Sequence, residues 1–383
     1  MNINEVLKKP EYDFLRTHER LGNQIGFLVF GGSYAYGLNG PNSDIDIRGI
    51  AVPLERDYVG FPYLPNPIDT QNPNVKLNNA RFEEYIDSET DTCIYNTMKF
   101  LYLIYKCNPN TLEMLGCLPE HYAHISEAGH LLLDSRDLFI TKTAYHTFGE
   151  YARQQLIRLQ NAIARNSSRL DQLLQVISVI KRSYAHYEEI YPSFKRHMIE
   201  FYVVDGRDNT IDTKTTKTFF ESEVLSNEEL RRNLSEVDLE NAQLRLNVHM
   251  DNISDKDFNG VMSNIYDVIH NFSPTGHRNH KKDDAHVCKH ASHLRRLQIT
   301  AKKLFRNHQI ETYCGDDIEY LLDIKKGMYR NDDGTYQEAF FNDINKDMDE
   351  LLYLFKTSTL PMTPDINEVM KLATELNYLA LGK

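Results

Sequence analysis

Two aspartates one residue apart, Asp44 and Asp46, open the apolar stretch DIDIRGIAV over residues 44–52. In a strand, residues i and i+2 project to the same side, so the spacing predicts that both carboxylates stand together. Paired carboxylates repel unless a cation neutralises them, and hard oxygen ligands on a rigid strand suit Mg²⁺ or Mn²⁺. Eleven residues before Asp44 lies Ser33, preceded by Gly31-Gly32 and by the bulky run GFLVF over 26–30. A Gly-Gly-Ser turn at the end of a buried strand aims backbone N–H groups and a hydroxyl at an anion. A phosphate cradle beside a pair of metal carboxylates is the equipment of phosphoryl or nucleotidyl transfer. D-x-D alone or G-G-S alone carries little weight, since most are surface features or turns. The compound pattern of strand, Gly-Ser, eleven residues and Asp-x-Asp is far more specific.

Three further acids, Asp87, Glu89 and Asp91, are spaced i, i+2, i+4 in a stretch that reads as a strand near 82–94, so all three could share one face. A second chemical concentration lies between His277 and Arg306, with nine Lys/Arg, two acids and five histidines. At about 100° per residue, Lys289, His293, Arg296, Thr300 and Lys303 form one polar stripe, beside an apolar stripe of Val287, Leu294, Leu297, Ala301, Leu304 and Phe305. Such a stripe suits a triphosphate or an RNA backbone; the competing reading is a helix with solvated cations. His286, His290 and His293 lie near one another on the same helix, but no further zinc ligand stands out.

These residues need a frame. GFLVF reads as a buried strand, 44–52 as a second, and 82–94 as a third. Residues 11–22 read as helical, and 53–79 as a Pro/Asn-rich loop. Residues 95–106 take helical spacing, with Met98, Leu101, Tyr102 and Tyr105 on one face. Beyond about 140 the pattern is mostly helical, with clear helices over 285–306 and 339–356, whereas 203–255 gives no secure assignment. The result is an α+β head over 1–130 and a mostly helical body over 131–383.

The bulk numbers are permissive. A chain of 383 residues with 41% hydrophobic and 26% charged residues supports one large domain or two ordinary ones. No apolar block is long enough for a membrane span or a secretory signal. Five cysteines, an odd number and never spaced C-x-x-C, argue against a disulfide framework and fit a reducing cytoplasm. The net charge of −12 does not advertise nucleic-acid binding over the whole chain.

G-S-x-A-Y-G followed by S-D-I-D-I-R-G, over residues 32–49, resembles the nucleotide-binding signature of the DNA polymerase β superfamily, and more narrowly the RNA-ligase-associated nucleotidyltransferases. The stretch DTCIYNTMKFLYLIYKCNPNTLE, with Asp91, Lys99, Asn108, Pro109 and Glu113, is similar to a second element of that branch. KHASHLRRLQITAKKLF over 289–305, followed by Leu321, Leu322, Ile324 and Gly327, is similar to a third. The chain departs at Gly31, where the branch often has a polar residue, and at Asn307-His308, where it has a glycine.

The resemblance implies a polymerase β-type head in which Asp44, Asp46 and a third acid hold Mg²⁺ (or Mn²⁺). Asp91 is favoured over Glu89 for that third place and as the base. Gly32, Ser33, Ser43, Arg48, Lys99, Lys289, His293 and Arg296 are the implied nucleotide contacts. The implied reaction is transfer of an NMP from an NTP, ATP favoured, to an RNA end. Adenylylation of a protein or small molecule, and a non-catalytic nucleotide- or RNA-binding regulator, are the competing functions.

Overall fold

The computed structural model of the protein describes the chain outside residues 60–66, 206–216, 220–241, 272–283, 333–334 and 383, and outside most of 165–197. The chain divides into two units: one of Met1–Arg153, Ser292–Tyr329 and Gln337–Lys383, the other of Gln154–Ala291 and Arg330–Tyr336. The expected break near 130 therefore falls inside the first unit, and the C-terminal helices return to it.

The first unit is built on a mixed six-stranded sheet of order β3-β4-β5-β2-β1-β6. Its strands are β1 (Ile25–Phe30), β2 (Ile47–Ala51), β3 (Val75–Asn78), β4 (Arg81–Asp87), β5 (Thr92–Asn96) and β6 (Tyr122–Ile125). All six residues of β1 are buried. An unbroken apolar run, rather than an alternating one, is what a strand covered on both faces requires. β1 pairs antiparallel with β2 and β6, whereas β2 and β5 run parallel with Ile47 opposite Thr92. That parallel pair brings the starts of two strands to one edge of the sheet.

Two expectations change at this edge. β2 begins at Ile47, so Asp44 and Asp46 lie in the segment leading into the strand rather than within it. The stretch 82–94 is a hairpin: β4 ends at Asp87 and β5 starts at Thr92. Asp87 Oδ2 accepts hydrogen bonds from the Thr90 amide (3.1 Å) and hydroxyl (2.6 Å), and Asp91 takes φ +48. Short polar side chains that bond their own backbone favour a turn over extended chain. Asp87, Glu89 and Asp91 therefore do not line one strand face.

The helix Thr97–Tyr105 follows β5, with Asn96 Oδ1 accepting from the Lys99 amide at 2.6 Å as its cap. Its buried residues are Thr97, Phe100, Leu101 and Ile104; Tyr102, expected on the apolar face, is exposed. The helix Asp284–Asn307 buries Val287, Leu294, Leu297, Ala301, Leu304 and Phe305, the expected apolar stripe. The helices Glu338–Thr357 and Ile366–Ala380 complete the helical part of the first unit. Thus a small mixed sheet with helices is followed along the chain by a mostly helical body.

The second unit holds a three-stranded sheet of order β8-β7-β9, with β7 (Met198–Asp205), β8 (Lys217–Phe219) and β9 (Ala242–His249). These strands lie largely where the sequence gave no assignment. The helical pattern expected beyond about 140 is met by the helix Thr143–Ala164, and its continuation over most of 165–180 lies outside the described residues. Among the described residues, no helix is long and apolar enough to cross a membrane.

Candidate active site

The site is assembled from three backbone segments at the shared edge of β1, β2 and β5. After β1 the chain turns at Gly31-Gly32 into a short helix, Gly32–Tyr36. Gly32 has φ +53, and a Cβ there would stand 2.0 Å from Asp46 Oδ2. Only glycine satisfies both the backbone angle and this contact. At Gly31 a Cβ would meet Arg48 Cγ at 2.9 Å and Asp46 Cβ at 3.2 Å, which accounts for a bare glycine in this chain. The turn and the Asp46 carboxylate are thus packed on each other, and the Gly31 amide donates to the Asp46 carbonyl at 2.8 Å. Ser33, half-buried, lies in the first turn of the helix, next to this contact.

Asp44 is exposed and Asp46 half-buried. Asp91 is exposed at the position just before β5, and its carbonyl accepts from the Ile47 amide at 3.3 Å. Since Ile47 pairs with Thr92 in parallel register, Asp46 and Asp91 occupy the same step ahead of neighbouring strands. Arg48 ties these segments together: Nη2 donates to Asp46 Oδ1 at 2.7 Å, and Nη1 donates to the Asp91 carbonyl. Glu89 is exposed within the β4–β5 turn. The negative charge is felt at Tyr12, whose phenol is raised above its ordinary value first by burial, then by Glu11, Asp87, Asp91 and Asp46.

Among the described residues, no three His, Cys, Asp or Glu side chains form a ready-made metal cage. The donor set at this edge is hard carboxylate oxygen from Asp44 and Asp46, with Asp91 alongside. That fits an ion such as Mg²⁺, which is commonly held by one or two carboxylates and completes its shell with water and substrate phosphate.

Other expected contacts are engaged elsewhere. The Ser43 hydroxyl accepts from the Gly40 amide at 2.8 Å and closes the loop ahead of Asp44. Lys99 Nζ lies 2.9 Å from Glu84 and 3.4 Å from Glu83, both on β4. His293 Nδ1 is 3.4 Å from Arg296 Nη2, and its ring meets Tyr151 edge-on. His290 Nδ1 is 3.2 Å from Gln155 Oε1. Lys289 is exposed and belongs to the second unit.

The largest correction concerns the basic stripe. Arg296 is 1% exposed; it donates to Glu113 Oε1 and lies 3.7 Å over the Tyr36 ring. It is therefore an internal cation, and the expectation that it meets phosphate directly does not match its position. Lys303 pairs with Asp317 at 2.8 Å, while Arg295 and Lys302 pair with Asp347 at 2.9 and 2.6 Å. Arg306 pairs with Glu350. Much of the positive run is thus neutralised within its own unit. Arg278, Lys281 and Lys282 fall outside the described residues.

In the sequence, Glu113 and Tyr36 stand out only as parts of motifs. The Tyr36 hydroxyl donates to Glu113 Oε2 at 2.8 Å, so that half-buried Tyr36 joins buried Glu113 and Arg296 in one polar cluster. Nothing in spacing links Glu113 to a residue 183 positions away.

A six-stranded mixed sheet carrying a Gly-Ser turn, with two acids leading into one strand and a third into its parallel neighbour, defines a DNA polymerase β-type nucleotidyltransferase head. Residues 8–180 match the model of RlaP, the RNA repair pathway DNA polymerase beta family, to which this segment is similar. No curated protein and no solved structure matches the chain.

Proposed function

We propose that the protein transfers a nucleoside monophosphate from an NTP, with ATP favoured, to a hydroxyl at an RNA end and releases pyrophosphate. The observation that carries this reading is the placement of Asp46 and Asp91 at the same step ahead of parallel β2 and β5, with Gly32 packed against Asp46. The RNA acceptor rests on the description of the family as an RNA repair pathway family.

In this reading the acceptor oxygen attacks the α-phosphorus, the bond to the pyrophosphate oxygen breaks, and the acceptor proton passes to Asp91. Ser33 and the first amides of the 32–36 helix hold the phosphates. Arg48 fixes Asp46 relative to the Asp91 backbone. A divalent cation held by Asp44, Asp46 and Asp91 supplies, when bound, charge neutralisation at the α-phosphate. Lys289, in the second unit, carries no part of this assignment.

The test is incubation of the purified chain with each α-labelled NTP, Mg²⁺ or Mn²⁺, and RNA of defined ends. The expected result is label on the RNA that nuclease releases as a nucleotide, with one pyrophosphate per label. Label on the protein or on a small molecule, with none on RNA, would redirect the acceptor; consumption of no NTP would overturn the reading.

A further inference from the structure

The 32–36 helix spans barely more than one turn, with Ser33 and Tyr36 at its two ends. Its first residues touch the Asp46 carboxylate through Gly32. Its far end is fixed by a separate set of groups. The Tyr36 hydroxyl donates to Glu113 Oε2 at 2.8 Å, and the Tyr36 carbonyl accepts from the Cys314 amide at 3.1 Å. The Arg296 guanidinium lies 3.7 Å over the Tyr36 ring while donating to Glu113 Oε1. At Gly37, φ is +77, and a Cβ would meet Tyr313 Cε2 at 2.5 Å. One residue further on, the Leu38 carbonyl accepts from Lys325 Nζ at 3.1 Å.

We infer that Arg296 and Glu113 are positioning residues: they hold Tyr36, and through the short helix set where Ser33 and Gly32 stand against Asp46. The inference rests on the nucleotidyl-transfer reading for what Ser33 binds, but its mechanical part does not. A helix this short has little rigidity of its own, because isolated turns are unstable without tertiary support. The support comes from residues 292–329, far along the chain, and its ionic part is buried. The Arg296–Glu113 pair is expensive to break from one side, and the cation over an aromatic face adds a directional contact. Tyr36 stays the donor: its phenol is raised well above the ordinary value, by burial most of all, with Glu113 adding to the rise and Arg296 opposing it.

The test uses the full chain with Tyr36→Phe, which keeps the ring and removes the donor, and Arg296→Lys, which keeps the charge and removes the fork. Three quantities are read: hydrogen exchange at amides 33–38 without nucleotide, the Kd for a non-hydrolysable ATP analogue, and KM against kcat for transfer. The expected result for each variant is exchange about tenfold faster at 33–38 with protection of β1 and β2 retained. The Kd and KM should rise about tenfold while kcat falls by far less. Because the residues act as one unit, the double variant should be no worse than about the worse single variant. Unchanged exchange at 33–38, or losses that add as independent terms, would overturn the inference. If the wild-type chain binds no nucleotide, the proposed function fails instead, and the exchange measurement still decides the mechanical claim.

Discussion

Gly32 and Asp46 set the tightest constraint at the scale of single residues. Gly32→Ala would place a methyl where the carboxylate lies, on a backbone with φ +53 that L side chains avoid by about 1–2 kcal/mol. Asp46 must then swing away from the edge it shares with Asp91. We expect at least a hundredfold (about 10²) loss of transfer, the order seen when one electrostatic partner of a transition state is removed. Gly40→Ala, whose Cβ meets nothing within 4 Å, should stay near wild type in the same assay. Equal activity of the two variants would show that the turn does not hold the carboxylate. The third acid can be separated in the same way. Asp91 leads directly into β5 beside Asp46, whereas Glu89 lies out in the turn, so Asp91→Asn should be severe and Glu89→Gln mild. The reverse order in single-turnover rates would reassign the base.

Elements show why some of this was legible and some was not. GFLVF announced β1 because an unbroken apolar run admits few other fates, and the long amphipathic helices over 284–307 and 338–357 fell within a residue of their expected bounds. The 82–94 stretch misled because alternation is also what two strands of a hairpin show, and the Asp87–Thr90 turn between them is a local bond invisible to periodicity. In β9 the alternation of Leu244, Leu246 and Val248 with polar residues was present but lay inside a polar neighbourhood that masked it. The basic helix is the instructive case. Charge counting found its cations but not their partners, because Asp347 and Glu350 come from another helix some 45 residues on. Asp347 is 7% exposed and faces both Arg295 and Lys302. Asp347→Ala leaves two cations without their shared counter-charge and should cost about 3 kcal/mol or more in chemical denaturation. A change below about 1 kcal/mol, the worth of an exposed pair, would mean that the pairing contributes little.

Across the whole molecule, the Gly32–Tyr36 turn of the polymerase β-type head is held by contacts from far along the chain, and buried histidines set part of its response to pH. His18 and His121 both sit below their ordinary values, chiefly because burial disfavours the imidazolium. His121 lies between the Phe30 and Tyr313 rings, with a buried Nδ1 that has no hydrogen-bond partner. The folded state therefore binds these protons less readily than the unfolded chain, and their contribution is present at neutral pH and lost as pH falls through the unfolded value. Stability should decline as pH falls below about 7 and through the lowered folded values, and a His18→Gln/His121→Gln variant should flatten that slope. An unchanged slope in the variant would assign the decline to other groups.

On the proposed function, Asp44 and Asp46 are the working edge of a nucleotidyltransferase. Its most direct measurement is single-turnover transfer of an α-labelled NTP by wild type, Asp44→Ala and Asp46→Ala, each checked for its unfolding midpoint. Wild type should transfer label to RNA in the presence of Mg²⁺. Each variant should lose at least about a hundredfold in rate while keeping its fold, because Asp44 is exposed and Asp46 half-buried ahead of β2, outside the apolar core. Near-normal transfer by either folded variant would remove Asp44 and Asp46 from the reaction.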